Sequence, residues 1–306
     1  MRPAEPALGA ALAGLCGIGA LWGLGAPMVR FARMEGLAAV SIVFWQAVIG
    51  LVLLVVIQRL RGRLSLPCDR ASLLLYAAVA VLGIVAPHMA GYWALGHIPA
   101  SVHALLTSLV PMFALALALG LRIERFAARR ALGLGLGAAA VVLLVMPGTR
   151  LSASVPVVFV FVSAVAPLCY AIESAFVAHV SRAQAGALQA LTGGSVLAVL
   201  LMAPLTYAMG APLVPRAVEP AIFAVMVSGT SSVLAYAGYV ALLRRAGSVF
   251  ASQVAYLVTA TAIGWSMLLL GERPGPGLWL ALCLMFAGLF LVQPRPKLAA
   301  LSISSG

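Results

Sequence analysis

Ten apolar stretches, most of them roughly twenty residues long, follow one another along the 306-residue chain. They fall at 8–29, 38–60, 71–93, 99–120, 129–147, 156–179, 187–208, 219–243, 249–270 and 277–293. Each is long enough to cross about 30 Å of hydrocarbon as a helix. Helix is forced here, because backbone polar groups in lipid must be satisfied within the segment and no period-two alternation suggests a barrel. Composition agrees: 64% hydrophobic and 8% charged residues give too little charge to cover a soluble protein of this size. Thirty Gly and eighteen Pro suit a helix bundle in lipid, where small residues allow close packing and Pro is tolerated. The first stretch carries Trp22 and Pro27 and runs past any cleavage spacing, so it reads as a span rather than a leader. The joints are short, punctuated by Gly62, Pro67, Pro99, Gly148, Gly210-Ala211-Pro212 and Pro274-Gly275-Pro276. None has room for a fused enzyme or an ATPase module.

The second constraint is an internal echo. Glu124-Arg125 and Glu272-Arg273 lie 148 residues apart, each closing an apolar run. At the same offset Trp22-Gly23 answers to Tyr170-Ala171, Leu109-Val110 to Leu257-Val258, and Leu132 to Leu280. One module is written twice, divided at 1–148 and 149–306. Five spans per module oblige the second copy to enter the bilayer from the opposite side. The expected architecture is an all-α integral membrane protein with ten transmembrane helices in two inverted five-helix repeats, the arrangement of secondary transporters.

Charge sets the expected orientation. With the N-terminus inside, fourteen of the nineteen basic residues fall on inner joints and five on outer ones (Arg30, Arg33, Arg150, Arg216 and Arg273). The positive-inside rule then places both termini on the cytoplasmic side; the membrane expected is a bacterial inner membrane. The net charge of +12 follows from this bias and points to anionic lipid headgroups, so no nucleic-acid partner is expected.

With these residues in view, the chain resembles an EamA-type member of the drug/metabolite transporter superfamily over nearly its whole length. Trp22-Gly23 resembles the aromatic-Gly pair of the first span. Residues 100–111 (ASVHALLTSLVP) resemble the fourth-span pattern of small residues leading to Pro111. Glu124-Arg125 and Gly271-Glu272-Arg273 resemble the Gly-Glu-Arg signature after spans four and nine. Span two carries Trp45-Gln46 where the family often has a basic residue. Pro111 has Thr259 as its repeat partner, and the first signature lacks its Gly. The resemblance implies carriage of small metabolites, often export of amino acids or related compounds. It also implies a central cavity lined mainly by spans one, three, four, six, eight and nine.

Several residues stand out on their own chemistry. Glu173 is the one acid well inside an apolar run, and ionisable groups in spans are costly enough to suggest function. It is suited to hold a substrate amine or a coupling proton, or else it locks two helices. His88 and His103 sit on neighbouring spans joined by His97-Ile98-Pro99, and either relays protons or donates to backbone carbonyls. Ser252, Tyr256 and Thr259 share one face of span nine, and His103, Thr107 and Pro111 one face of span four. Tyr236 and Tyr239 add polarity to span eight, and Trp22 lies deep enough to wall an apolar or aromatic substrate. These polar faces line a lumen or make interhelical hydrogen bonds. His88 joins Glu173 as a proton-coupling candidate.

Gly19-x-x-x-Gly23 and Gly133-x-x-x-Gly137 read as helix-packing motifs. Glu124, Arg125, Glu272, Arg273 and Pro111 read as gating or structural elements. Pro111 is expected to kink span four, leaving span nine straighter at Thr259. Cys16, Cys68, Cys169 and Cys283 form no metal or disulfide pattern, and neither cofactor nor metal is expected. The partners expected are a small-molecule substrate and lipid, with the chain a monomer or a dimer. Two other readings stay open: a multidrug or other metabolite carrier of the same fold, and an intramembrane enzyme. No H-E-x-x-H or G-x-S-x-G motif supports the latter.

Overall fold

A computed structural model describes residues 8–62, 65–124, 126–146, 155–179, 185–211 and 219–293. Ten apolar helical spans account for nearly all of them. Eight are long: Gly9–Met34, Ala39–Leu60, Arg70–Ala94, Ala100–Gly120, Ala128–Val145, Val157–Val177, Ala187–Ala208 and Pro220–Gly247. The last two, Val254–Leu270 and Pro276–Val292, have 17 residues each, about 26 Å of helix, which still crosses a bilayer core. Leu60, Leu132, Phe161, Leu200, Phe223, Leu268 and Phe290 stand exposed around the bundle, as a lipid-facing surface requires. The repeat boundary placed at residue 148 falls outside the described residues.

The packing obeys the repeat. Span one packs on spans eight and nine; correspondingly, span six packs on spans three and four. Span two packs on span eight as span seven packs on span three. The pairs two–seven, four–nine and five–ten are their own counterparts. Exchanging each span with the one five further on therefore leaves this set of neighbours unchanged, which is the signature of a pseudo-twofold between two five-helix repeats.

Glycine sets the closest approaches. Virtual Cβ atoms at Gly19 and Gly23 would fall against Leu257 Cβ (2.6 Å) and Thr261 Oγ1, so span one rests directly on span nine. Thr261 also donates to the Gly19 carbonyl (2.8 Å) and Trp265 Nε1 to the Ala20 carbonyl (3.0 Å). A Cβ at Gly133 would meet the Gly288 carbonyl oxygen at 2.7 Å, and one at Gly137 would collide with the Met112 sulfur. Both expected packing motifs thus lie in helix contacts. Gly133→Val is expected to lower the melting temperature in thermal-denaturation size exclusion, a cost of about 1–3 kcal/mol or more, because backbone has to move. Gly135→Val is the control: nothing lies within 4 Å there, and it should melt with the wild type.

Three spans are irregular. Span three passes through a π-helical turn at Val79–Val85. Its cause is two residues further on: Pro87 has no N–H and its ring would clash with the carbonyl four residues back, that of Gly83. Widening the turn relieves the clash. Span four is interrupted at Ser108–Leu109, just before Pro111, where the amides of Ser108 and Leu109 bond the carbonyls three residues back (3.2 and 3.0 Å). That is the expected kink. Span nine differs from expectation: it too is interrupted, at Ser252–Gln253, and only then runs unbroken through Thr259 to Leu270. The helix is unbroken at Thr259, whose hydroxyl bonds within it to Ala255 O (3.1 Å).

Candidate functional site

The π turn of span three is where the deep acid sits. A Cβ added to Gly83 would lie 2.6 Å from Glu173 Oε1 and 2.9 Å from both its Cδ and Oε2, so only glycine leaves room for the carboxyl. Glu173 itself, on span six, makes neither a hydrogen bond nor an ion pair among the described residues. Its electrostatic neighbours are Cys169 and Tyr170 on its own helix and Tyr236 on span eight. The helix-locking alternative needs a partner for this carboxyl, and none is present among the described residues.

Tyr236 leads to an aromatic group. The Trp22 ring lies edge-on to Tyr236 (centroids 6.5 Å apart) and tilted against Tyr239 (5.5 Å). Spans one, six and eight therefore converge, with span three supplying the seat for the acid. A carboxyl beside a phenol ring that itself packs on an indole is a chemistry for amines and other cations, which gain from both the charge and the ring faces.

A second polar group lies along span three. His88 stacks on Tyr92 (4.8 Å, 7° between planes), and its Nδ1 is buried without a hydrogen-bond partner. Tyr92 donates its hydroxyl to Gln46 Oε1 (2.6 Å), and Gln46 Nε2 donates to Ser228 Oγ (2.6 Å). Spans two, three and eight are linked by this chain. Gln46 was not singled out from the sequence except as a departure from the family's basic residue; its signal was an amide in an otherwise apolar run. His103 does not bond a carbonyl. Its Nδ1 pairs with Ser163 Oγ of span six (2.8 Å), and its ring packs on Gly91, one turn beyond His88.

The other expected residues lie elsewhere. Thr107 bonds back to the His103 carbonyl (2.8 Å). Thr259 is buried within span nine. Tyr256 turns to span ten, its ring edge-on to Phe286 (5.2 Å) and its hydroxyl near Gln293 Nε2 (3.4 Å). Ser252 sits at the interruption of span nine. The face expected to unite Ser252, Tyr256 and Thr259 is thus divided between helix interior and span ten. Arg125 lies outside the described residues; Arg273 is exposed.

The sequence profile of the EamA-like transporter family matches residues 8–146 and again residues 157–293. No curated protein matches the sequence. A solved structure described only as a crystal structure of a protein superposes with a TM-score of 0.60 at 19% identity, covering 92% of this chain and 96% of its own. At that identity the likeness bears on fold alone, and it matches the bundle described above. Two profile matches in tandem, each over five spans, identify the chain as a member of the EamA-like transporter family, within the drug/metabolite transporter superfamily.

Proposed function

We propose that this chain is a secondary carrier that moves small amine-bearing metabolites, amino acids or related compounds, outward across a bacterial inner membrane by alternating access, with both termini cytoplasmic. The carrying observation is Glu173: a carboxyl within span six, four residues from its end, seated on Gly83 of a π turn, without hydrogen bond or ion pair among the described residues, and neighbour to Tyr236 of the Trp22–Tyr236–Tyr239 ring group. A half-buried carboxyl within a span that the protein leaves unpaired is poised for something that arrives, an amine or a proton. The direction and the amino-acid class rest on the family resemblance, and the orientation on the positive-inside bias. A multidrug carrier of the same fold shares this chemistry and differs in tolerating bulkier cations.

Proteoliposomes test the reading. Purified protein reconstituted with and without a pH gradient is offered labelled amino acids, aromatic amines and quaternary ammonium compounds. Uptake of a primary amine that responds to the gradient supports the reading. Uptake of quaternary cations across many shapes shifts it to the multidrug form, and no flux of any solute rejects it.

A further inference from the structure

The two Glu-Arg signatures are built alike and used differently. At the end of span four the amide of Glu124 bonds the Ala118 carbonyl (3.2 Å); at the end of span nine the amide of Glu272 bonds the Ser266 carbonyl (3.3 Å). These pairs are 148 residues apart atom for atom. The left-handed residue that closes each helix is Gly271 (φ 63) in one copy and Arg122 (φ 57) in the other, so the missing glycine has moved the cap back by one residue without displacing the glutamate.

The side chains then part company. Glu272 crosses to the other repeat and caps the start of span four: Oε1 accepts from the Ala100 amide (2.7 Å), and Oε2 from the Ser101 amide (3.1 Å) and hydroxyl (2.6 Å). A carboxylate at a helix N-terminus meets unpaired N–H groups and the positive end of the dipole. By the repeat, the counterpart for Glu124 is the start of span nine at residues 248–250. The chain enters that helix through Gly247 in a positive-φ conformation (φ 81, ψ 167), where Pro99 is extended (φ −57, ψ 149), and the first helical piece runs only to Ala251. Glu124 is instead ion-paired with Arg130, at the start of span five.

The surroundings differ in the same sense. The tip joining spans three and four is shut in: Ala94, Leu95, Ile98 and Ala100 are all fully buried. Arg30 donates to the Leu95 carbonyl (2.5 Å), and the Arg33 guanidinium lies against Gly96. The equivalent tip joining spans eight and nine leaves Leu243, Arg244, Arg245 and Gly247 exposed. The tip of spans three and four is thus the more enclosed of the two, although His97 on it is exposed and Leu242 on its counterpart is buried.

We propose that Glu272 and Glu124 are reciprocal latches: Glu272 closes the face at residues 95–100 by capping span four, and in the opposite state Glu124 leaves Arg130 and closes the face at residues 243–247 by capping span nine. The inference rests on the carrier reading only in requiring two alternating states. Arg130, which also donates to the Val292 carbonyl (3.1 Å), is the rest position that holds Glu124 while its face is open.

Spin-label distances on the full chain test this without a known substrate. One label pair, at residues 35 and 97, spans the closed face; the other, at residues 121 and 245, spans the open one. Both are placed in a background lacking Cys16, Cys68, Cys169 and Cys283. Glu272→Ala is expected to shift the population ratio by about tenfold or more, lengthening the first distance and shortening the second. Adding Glu124→Ala to that variant should lengthen both. Arg130→Gln alone should shorten the second distance by freeing Glu124, and it leaves the Glu272 cap untouched should Glu272→Ala fail to fold. Mere loss of structure does not shorten the distance on the far side. Reciprocal distances that ignore both glutamates overturn the latch and leave the carrier reading standing. Distances that never vary reciprocally overturn the latch and remove alternating access with it.

Discussion

Glu173→Gln is expected to abolish the pH dependence of transport between about pH 5 and 8 while leaving the protein folded. It is also expected to weaken binding of an amine substrate by about 10- to 100-fold, the range of a lost charge-assisted hydrogen bond. The amide keeps the shape that Gly83 accommodates, so the variant tests charge rather than packing. The groups facing this carboxyl are Cys169, Tyr170 and Tyr236, none of them basic. Removing a charge with no partner costs the fold nothing and relieves a desolvation penalty. The melting temperature should therefore equal or exceed that of the wild type, as at sites where stability has been given up for function. Gly83→Val is the companion: its Cβ would occupy the space of the carboxyl, and it should reproduce part of the transport defect with Glu173 still in the chain. A Gln variant that carries substrate with an unchanged pH profile makes Glu173 a packing residue.

The helices, their number and their repeat were legible because lipid leaves the backbone little choice and because the echo is constant over 148 residues. The seat of Glu173 was not. A π turn has no hydropathy signal; its marks were Gly83 followed four residues later by Pro87, each unremarkable among thirty Gly and eighteen Pro. The polar face of span nine was misjudged for a different reason. Periodicity fixes which residues share a face, but not what that face meets, and here Tyr256 meets Phe286 of span ten while Thr259 bonds its own helix. The kink of span four followed from Pro111, whereas the break in span nine at Ser252–Gln253 has no proline to announce it. The Glu-Arg pairs were expected as gating or structural elements from their placement at helix ends. Which helix Glu272 would cap depended on how the repeats interlock, and that lies beyond any single-chain pattern.

Linking the tip of spans three and four to the end of span nine should stop transport. Cysteines at residues 97 and 273, joined by a cleavable bifunctional thiol reagent in a background without exposed Cys16, Cys68 and Cys283, hold together the two elements that the Glu272 cap joins. The physical case is in the burial of that face. Leu95 and Ile98 are fully buried, and Arg30 fastens the Leu95 carbonyl to span one. Opening this face must expose those side chains and break that bond, and a covalent link forbids both. A carrier confined to one of its two states completes no cycle, so flux should fall by at least about tenfold and return when the reagent is cleaved. The control is a link between residues 129 and 290, where Arg129 already donates to the Phe290 carbonyl (2.9 Å) and sits over its ring. Spans five and ten are their own counterparts under the pseudo-twofold and are packed glycine to glycine, so they have no reason to part during the cycle. Cross-linking there should leave flux unchanged. Equal flux before and after linking residues 97 and 273 would show that this face stays shut during transport, and the path would have to be sought between other spans.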